Sequence, residues 1–328
     1  MQSWRIAVPP LDAHCVLSVA LPARDEAERI DRALCALALQ AHPERFEVIV
    51  FANECRDATA ERARRTAALH PRLRVHVVEG GLPPDARCVG MARRIVMDCA
   101  ADRFLAAGKP RGIVATTDAD SVVAPDWLER TLEEMRAVDA VAGFVEIAAP
   151  ERLVMPPALR ALLTLDAEYL RLCAEAESLL RPRAEDPYPR HRVFVGASFA
   201  VTAQAYVRAG RLPPLPSLED REFAAALRRS AARIRHSLRV RVATSGRADA
   251  RVTGGFGTFL DYLRRCAARG ETFLVDDPRA LFEADDAPDG IAAHPSLPVD
   301  AALALLRAFV ASRKAEAATR STAASGAG

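Results

Sequence analysis

Lysine is almost missing from this chain. Of 45 basic side chains in 328 residues, only Lys109 and Lys314 are lysines. An arginine excess of this kind reads as genome composition rather than as a specialised anion-binding surface. No block of like charge stands out at a net charge of +2, which excludes a nucleic-acid-binding arm. No stretch reaches the roughly 18 apolar residues that a membrane-spanning helix needs. Met1–Pro10 lacks the apolar core of a secretory signal. The seven cysteines (Cys15, Cys35, Cys55, Cys88, Cys99, Cys173, Cys266) are odd in number and form no C-x-x-C. That pattern argues against a disulfide framework or a zinc site and fits a reducing cytoplasm. No G-x-G-x-x-G follows an early strand, which removes a dinucleotide-dependent oxidoreductase.

What is present is a well-filled globular composition, with 50% hydrophobic and 27% charged residues. The first half alternates two periodicities. Cys15–Leu21, Phe46–Ala52, Leu73–Val78, Gly112–Thr117 and Ala140–Ile147 read as buried strands. Ala27–Leu39, Ala58–Leu69, Asp85–Leu105 and a segment opened by Pro125 read as helices, with Asp57 as a cap for the second. Such alternation predicts an α/β fold with a mostly parallel sheet covered by helices, whose ligands sit at the carboxyl ends of the strands.

The second half predicts a long amphipathic helix over Pro156–Leu180, a polar loop over Arg181–Arg192 and a strand over Val193–Val201. A proline-rich loop, Arg211–Ser217, leads to Glu219-Asp220 and a helix over Phe223–Arg229. Val240–Thr244 reads as a strand, Phe256–Ala267 and Val299–Val310 as helices, and Asp285–Pro298 as a loop. The small polar residues of 315–328 predict a disordered tail.

Asp118-Ala119-Asp120 follows the fourth strand. In an extended chain, residues two apart point the same way, so both carboxylates would face the crevice. Two hard oxygen donors suit Mg²⁺ or Mn²⁺, which neutralises charge on a departing phosphate. Asx residues also crowd strand ends for local reasons, so the pair alone is a weak signal.

Five segments in order give the pair a context. LSVALPARDEA (17–27), FEVIVFANECRDAT (46–59), TTDADSVVAPDWL (116–128), VGASFAVTAQAYVRAG (195–210) and SLEDREFAAALRR (217–229) together resemble a family 2 glycosyltransferase of the GT-A fold. The resemblance covers roughly residues 15–250. It implies a GT-A-like, Rossmann-like sheet and transfer of a sugar from a nucleotide-diphosphate donor to an acceptor hydroxyl. Residues 1–150 would form the nucleotide-sugar half, and 151–314 the acceptor and base half with a C-terminal helix.

By that resemblance, Pro22, Arg24 and Glu26 would line the base and ribose. Asn53 stands where the family usually has an aspartate that hydrogen-bonds the base. An amide offers both donor and acceptor, so the base stays open. Arg87 and Arg93 fall where the family places an arginine near the nucleotide. Asp118 would contact ribose or metal, Asp120 would be the firmer metal ligand, and His236 is a candidate third ligand. Gly196-Ala197-Ser198 would floor the acceptor side, and Arg251 with Gly254-Gly255-Phe256 could close over the diphosphate. Asp220, beside Glu219, would be the general base of an inverting displacement; as a plain alternative, Ser217 caps a helix whose first turn both acids favour.

Other classes fit less well. Asp118–Val122 matches the D-x-D-x-[T/V] of haloacid-dehalogenase-like phosphohydrolases, but that motif belongs after a first strand and needs a later lysine. A sugar-nucleotide pyrophosphorylase wants a G-x-G-T-R loop where this chain has Pro22-Ala23-Arg24-Asp25. A non-catalytic sugar-nucleotide-binding module would have no use for Asp220, and a retaining transferase stays open.

Overall fold

The computed structural model describes residues 6–82, 84–247, 254–283 and 295–325. Chain contacts divide it into two compact units, Met1–Arg152 with Val193–Thr258, and Leu153–Arg192 with Phe259–Gly328. The sequence reading places a boundary at 150; in the structure residues 193–258 group with the first unit.

The strands are β1 (Leu17–Ala23), β2 (Phe46–Asn53), β3 (Arg74–Gly80), β4 (Ile113–Thr116), β5 (Val122–Val123), β6 (Ala140–Ile147), β7 (Phe199–Thr202) and β8 (Ile234–Thr244), with a two-stranded ribbon of β9 (Leu274–Val275) and β10 (Leu297–Pro298). The helices are α1 (Ile30–Ala38), α2 (Thr59–Leu69), α3 (Val89–Ala106), α4 (Trp127–Glu134), α5 (Ala149–Leu153), α6 (Pro157–Leu180), α7 (Ala203–Arg208), α8 (Glu219–Arg229), α9 (Phe256–Arg269), α10 (Arg279–Glu283) and α11 (Val299–Ser325).

The main sheet has the order β3-β2-β1-β4-β7-β6-β8-β5. β1 pairs in parallel with both β2 and β4, so the strand order reverses beside β1. That reversal opens a crevice at the carboxyl ends. β7 runs antiparallel between β4 and β6, which places Phe199 beside Thr116 and brings the residues just before β7 to the same edge. β8 runs parallel to β6 and so also ends there, at Thr244.

Both faces of the central strands are apolar, as the continuous hydrophobic runs require. Leu17, Val19 and Leu21 pack with α1 and α4, including Trp127, while Ala20, Ile49 and Phe51 pack against α3, α7 and α8. The period of two is visible in β1, β2, β4, β6 and β7.

One buried polar cluster stands among these layers. Glu47, 1% exposed, accepts bonds from Ser18 Oγ at 2.6 Å, His76 Nε2 at 3.2 Å and both terminal nitrogens of Arg103. Burial alone would push the Glu47 pKa up, but His76, Arg103 and Ser18 hold it below its ordinary value. A carboxyl depressed in the folded state adds stability above its unfolded pKa and loses it as pH falls through the folded value. Glu47→Gln is expected to cost about 3 kcal/mol at neutral pH, since it strips a buried pair of one partner. Denaturant unfolding of both proteins at neutral pH and at about pH 3 checks this. A stability gap that does not shrink in acid would show the cluster is not acting through its charge.

In the second unit α6 packs on α11, and Lys314 and Arg171 both reach the buried Glu175 of α6. Tyr169 donates to the carbonyl of Asp276 at 2.8 Å. Among the α6 stripe, Leu159, Leu162, Leu163, Tyr169 and Cys173 are buried.

Several elements differ from the sequence reading. Residues 193–198 are not strand: Ser198 N–H closes a turn on Val195, and β7 begins only at Phe199. The helix expected from Asp85 is a short 3₁₀ turn followed by α3, whose cap is Cys88 Sγ accepting from Met91 N–H. β8 begins six residues earlier than expected, because Ile234–Ser237 pairs with Ala140–Gly143 before an irregularity. α11 continues to Ser325 where a disordered tail was expected from 315. Alanine is the best helix former and dominates 315–324, and Arg313 and Ser312 both bond Glu316 one turn on. The loop expected over Asp285–Pro298 lies mostly outside the described residues.

Candidate active site

Thr116 ends β4, and the chain turns at once: Ser121 N–H donates to Asp118 O at 3.1 Å. The two aspartates are therefore on a turn rather than an extended segment, and each meets a different arginine.

Asp118 meets Arg93. The Arg93 side chain is 4% exposed and donates Nη2 to Asp118 Oδ1 at 2.8 Å, Nη1 to Thr116 Oγ1 at 2.8 Å and to Gly196 O at 2.9 Å, and Nε to Glu219 Oε1 at 3.3 Å. Burial opposes its charge, but Asp118 and Glu219 outweigh that and raise the guanidinium pKa further. Glu219, equally buried, is pushed above the usual carboxylate range by desolvation despite Arg93. Arg93 thus fastens the end of β4 to the start of α8. Gly196 makes room for it: a Cβ there would lie 2.7 Å from Arg93 Nη2.

Asp220 is the second residue of α8. Its Oδ2 accepts Gly196 N–H and its Oδ1 accepts Arg221 N–H, both at 2.7 Å. Leu218, in the left-handed region at φ 59°, is the N-cap of α8, so Ser217 does not cap it. The proline-rich loop before it lies against α3, where a Cβ on Gly90 would come within 2.3 Å of Leu215 O.

Asp120 meets Arg247, three residues past β8. Arg247 Nη2 lies 3.1 Å from Asp120 Oδ2, and the same guanidinium holds Glu26 with two hydrogen bonds. Burial and the neighbouring Asp118 push the Asp120 pKa up to about 6, against the opposing pull of Arg247. Arg247 escaped the sequence reading, although it lies just past a predicted strand, where ligand-facing residues collect.

The remaining candidates spread along the same edge. Pro22 lies within β1 and pairs with Phe51. Asn53 ends β2, is 6% exposed, and its Oδ1 finds no hydrogen-bond partner among the described residues. Glu26 is buried, and its N–H donates to Thr59 Oγ1 at 2.8 Å. Arg24 and Arg87 are both half exposed and reach Glu54, at 4.0 and 2.7 Å. Of the two arginines left open by sequence, Arg93 is the one joined to Asp118. Ser198 is buried beside Gly143. Arg251 lies outside the described residues, and Gly254, which is described, has φ 80°.

His236 is not brought to the aspartates. It lies on β8 opposite Ala142, whereas Thr244, whose hydroxyl is 3.5 Å from Asp120, lies opposite Ile147. Five strand residues separate those levels, roughly 16 Å. Among the described residues the group with three ligand atoms mutually within 4.8 Å is Asp25, Cys55 and Asp57. Those atoms serve the turns instead. Asp25 Oδ1 accepts Arg56 N–H at 2.7 Å, Asp57 accepts Thr59 and Ala27 N–H at 3.0 Å, and Cys55 Sγ faces Ala23 O at 3.6 Å. A surface hollow of about 670 Å³ beside β5, lined by Asp126, Arg130, Glu146, Arg239 and Arg241, holds none of the candidate residues.

The family model described as "Glycosyltransferase like family 2" matches residues 14–248. No curated protein matches the chain. Among solved structures, mannosyltransferase PcManGT from Pyrobaculum calidifontis, in complex with GDP-Man and Mn²⁺, is 19% identical with a TM-score of 0.53, over 99% of this chain and 83% of that one. S. aureus TarS 1–349 in complex with UDP is 17% identical with a TM-score of 0.46, over 66% of this chain and 56% of that one, so the chain spans little more than half of that structure. Glucosyl-3-phosphoglycerate synthase from Mycobacterium tuberculosis, with Mn²⁺, UDP and phosphoglyceric acid, is 18% identical with a TM-score of 0.43, over 80% and 83%. The mannosyltransferase likeness shows a shared fold. No helix among the described residues is long and apolar enough to cross a membrane.

Proposed function

The chain belongs to glycosyltransferase-like family 2, and from that premise we propose that it transfers a sugar from a nucleotide-diphosphate donor to an acceptor hydroxyl with inversion. One observation carries the reading. A buried arginine, Arg93, ties Asp118 on the donor side to the helix start that bears Asp220. A binding module has no need of a carboxylate fixed in this way beside the donor side; a displacement reaction does.

Asp220 would take the proton of the acceptor hydroxyl as that oxygen bonds to the anomeric carbon and the bond to the diphosphate breaks. Its two backbone hydrogen bonds fix the carboxylate, leaving further lone pairs for the proton. Glu219 acts as Arg93's buried partner, not as a second base. Asn53, whose buried carbonyl oxygen lacks a partner among the described residues, would accept a hydrogen bond from the base.

Asp118 and Asp120 offer hard carboxylate oxygens on one turn, and the partly buried Asp120 has its pKa raised by desolvation and then by its acidic neighbour. That donor set fits Mg²⁺ or Mn²⁺. Such a cation supplies positive charge to the departing diphosphate. His236 is left out of this set by its place on β8.

Thermal unfolding with UDP, GDP, dTDP, CDP and ADP, each with and without Mn²⁺, tests the donor site. A ligand at 100 times its Kd adds about 2.7 kcal/mol, a rise of several degrees in Tm. One base should stand out, with a larger rise in Mn²⁺. No rise with any nucleotide in a folded sample would turn the assignment away from a sugar-nucleotide site.

A further inference from the structure

We propose that Arg247 is the resident counter-ion of the donor site: it holds Asp120 and Glu26 in place of a divalent cation and leaves Asp120 only when a nucleoside diphosphate arrives. This rests on the donor-site reading above, and its test separates the two.

Three carboxylates, Asp118, Asp120 and Glu26, gather at the ends of β1 and β4, with two arginines among them. The arginines are held differently. Arg93 is locked by a strand-end hydroxyl, a backbone carbonyl and two acids, and is 4% exposed. Arg247 meets Asp120 and Glu26 as carboxylate pairs, is 18% exposed, and lies past the end of its strand.

A guanidinium 3.1 Å from Asp120 Oδ2 excludes a dication from that oxygen, by occupancy and by like charge. The same planar fork matches a diphosphate better than a lone carboxylate. Binding of the nucleotide therefore gives Arg247 a new anionic partner and opens Asp120 to the cation. Cation and nucleotide then bind with positive coupling, each raising the affinity of the other by the same factor.

Mn²⁺ binding is measured on the full chain by following free Mn²⁺ in its paramagnetic resonance signal. Titrations are run alone and then with saturating UDP or GDP. The wild type should bind Mn²⁺ weakly alone and at least about tenfold more tightly with the accepted nucleotide. Arg247→Gln removes the competing charge, so Mn²⁺ alone should bind about tenfold more tightly than to the wild type, and the coupling should shrink. Arg247→Lys keeps the charge but loses the fork and should fall between; it decides the matter if the glutamine variant melts early.

If neither variant gains Mn²⁺ affinity while the wild type binds Mn²⁺ with nucleotide, the role of Arg247 is overturned and the donor site stands. If the wild type binds no Mn²⁺ even with a nucleotide that raises its Tm, the cation reading falls together with this proposal.

Discussion

Asp220→Asn is expected to lower sugar transfer by about 10²- to 10⁴-fold, the usual worth of a positioned general base, while the affinity for the nucleoside diphosphate stays at its wild-type value. The carboxylate is fixed by two N–H groups, Gly196 on one oxygen and Arg221 on the other. An amide keeps the size of the group and one acceptor oxygen but cannot take a proton. The loss should therefore fall on kcat, with KM for the donor little changed, because the interaction removed is realised only as the acceptor loses its proton. Calorimetric titration with the nucleotide serves as the folding control, and the configuration at the anomeric carbon of the wild-type product decides inversion. Transfer within a few-fold of the wild type by Asp220→Asn would remove the residue from the base role. A product that retains configuration would replace the single displacement by another chemistry.

The sequence carried the sheet well because its signal is local. Phe46–Asn53 and Ala140–Ile147 are long apolar runs that admit one reading, and the structure keeps them nearly to the residue. The pairing order was not local. That β7 runs antiparallel between β4 and β6 depends on contacts between residues 57 to 89 positions apart. That placement carries Gly196 to Asp220 and Arg93. The site followed the same rule. Asp118, Asp120 and Asp220 could be proposed from the letters because each follows a recognisable strand or loop. Arg247 was not, since nothing in the letters beside it says that it bridges Glu26, 221 residues away. His236 shows the limit from the other side. It is near Thr244 in the chain, but the pairing with β6 sets it level with Ala142 and Thr244 level with Ile147. Among 43 arginines, only burial and partners separate Arg93 from Arg87.

Removal of Arg93 is the second large effect expected, and it should appear in stability before activity. Arg93→Met fills much of the same volume but leaves Glu219 buried and Asp118 half buried without their counter-ion. Stripping a buried pair of one partner costs about 3–5 kcal/mol, which in a chain of this length lowers Tm by roughly 4–7 °C. Much of the cost is the uncompensated charge on Glu219, so adding Glu219→Gln to Arg93→Met should restore part of the loss instead of adding to it. The opposite sign, with the two changes adding, would mean that the pair is not the source of the cost. Activity is the second readout. With stability partly restored, the double variant should still transfer poorly, because Thr116, Gly196 and Asp118 have lost the group that joined β4 to the loop behind Asp220. Arg93→Lys separates charge from geometry. A single ammonium cannot reach four acceptors arranged for a planar fork, so stability should recover further than transfer. Equal recovery of both would reduce Arg93 to a buried counter-charge; recovery of stability alone would make it the residue that positions the donor aspartate against the base.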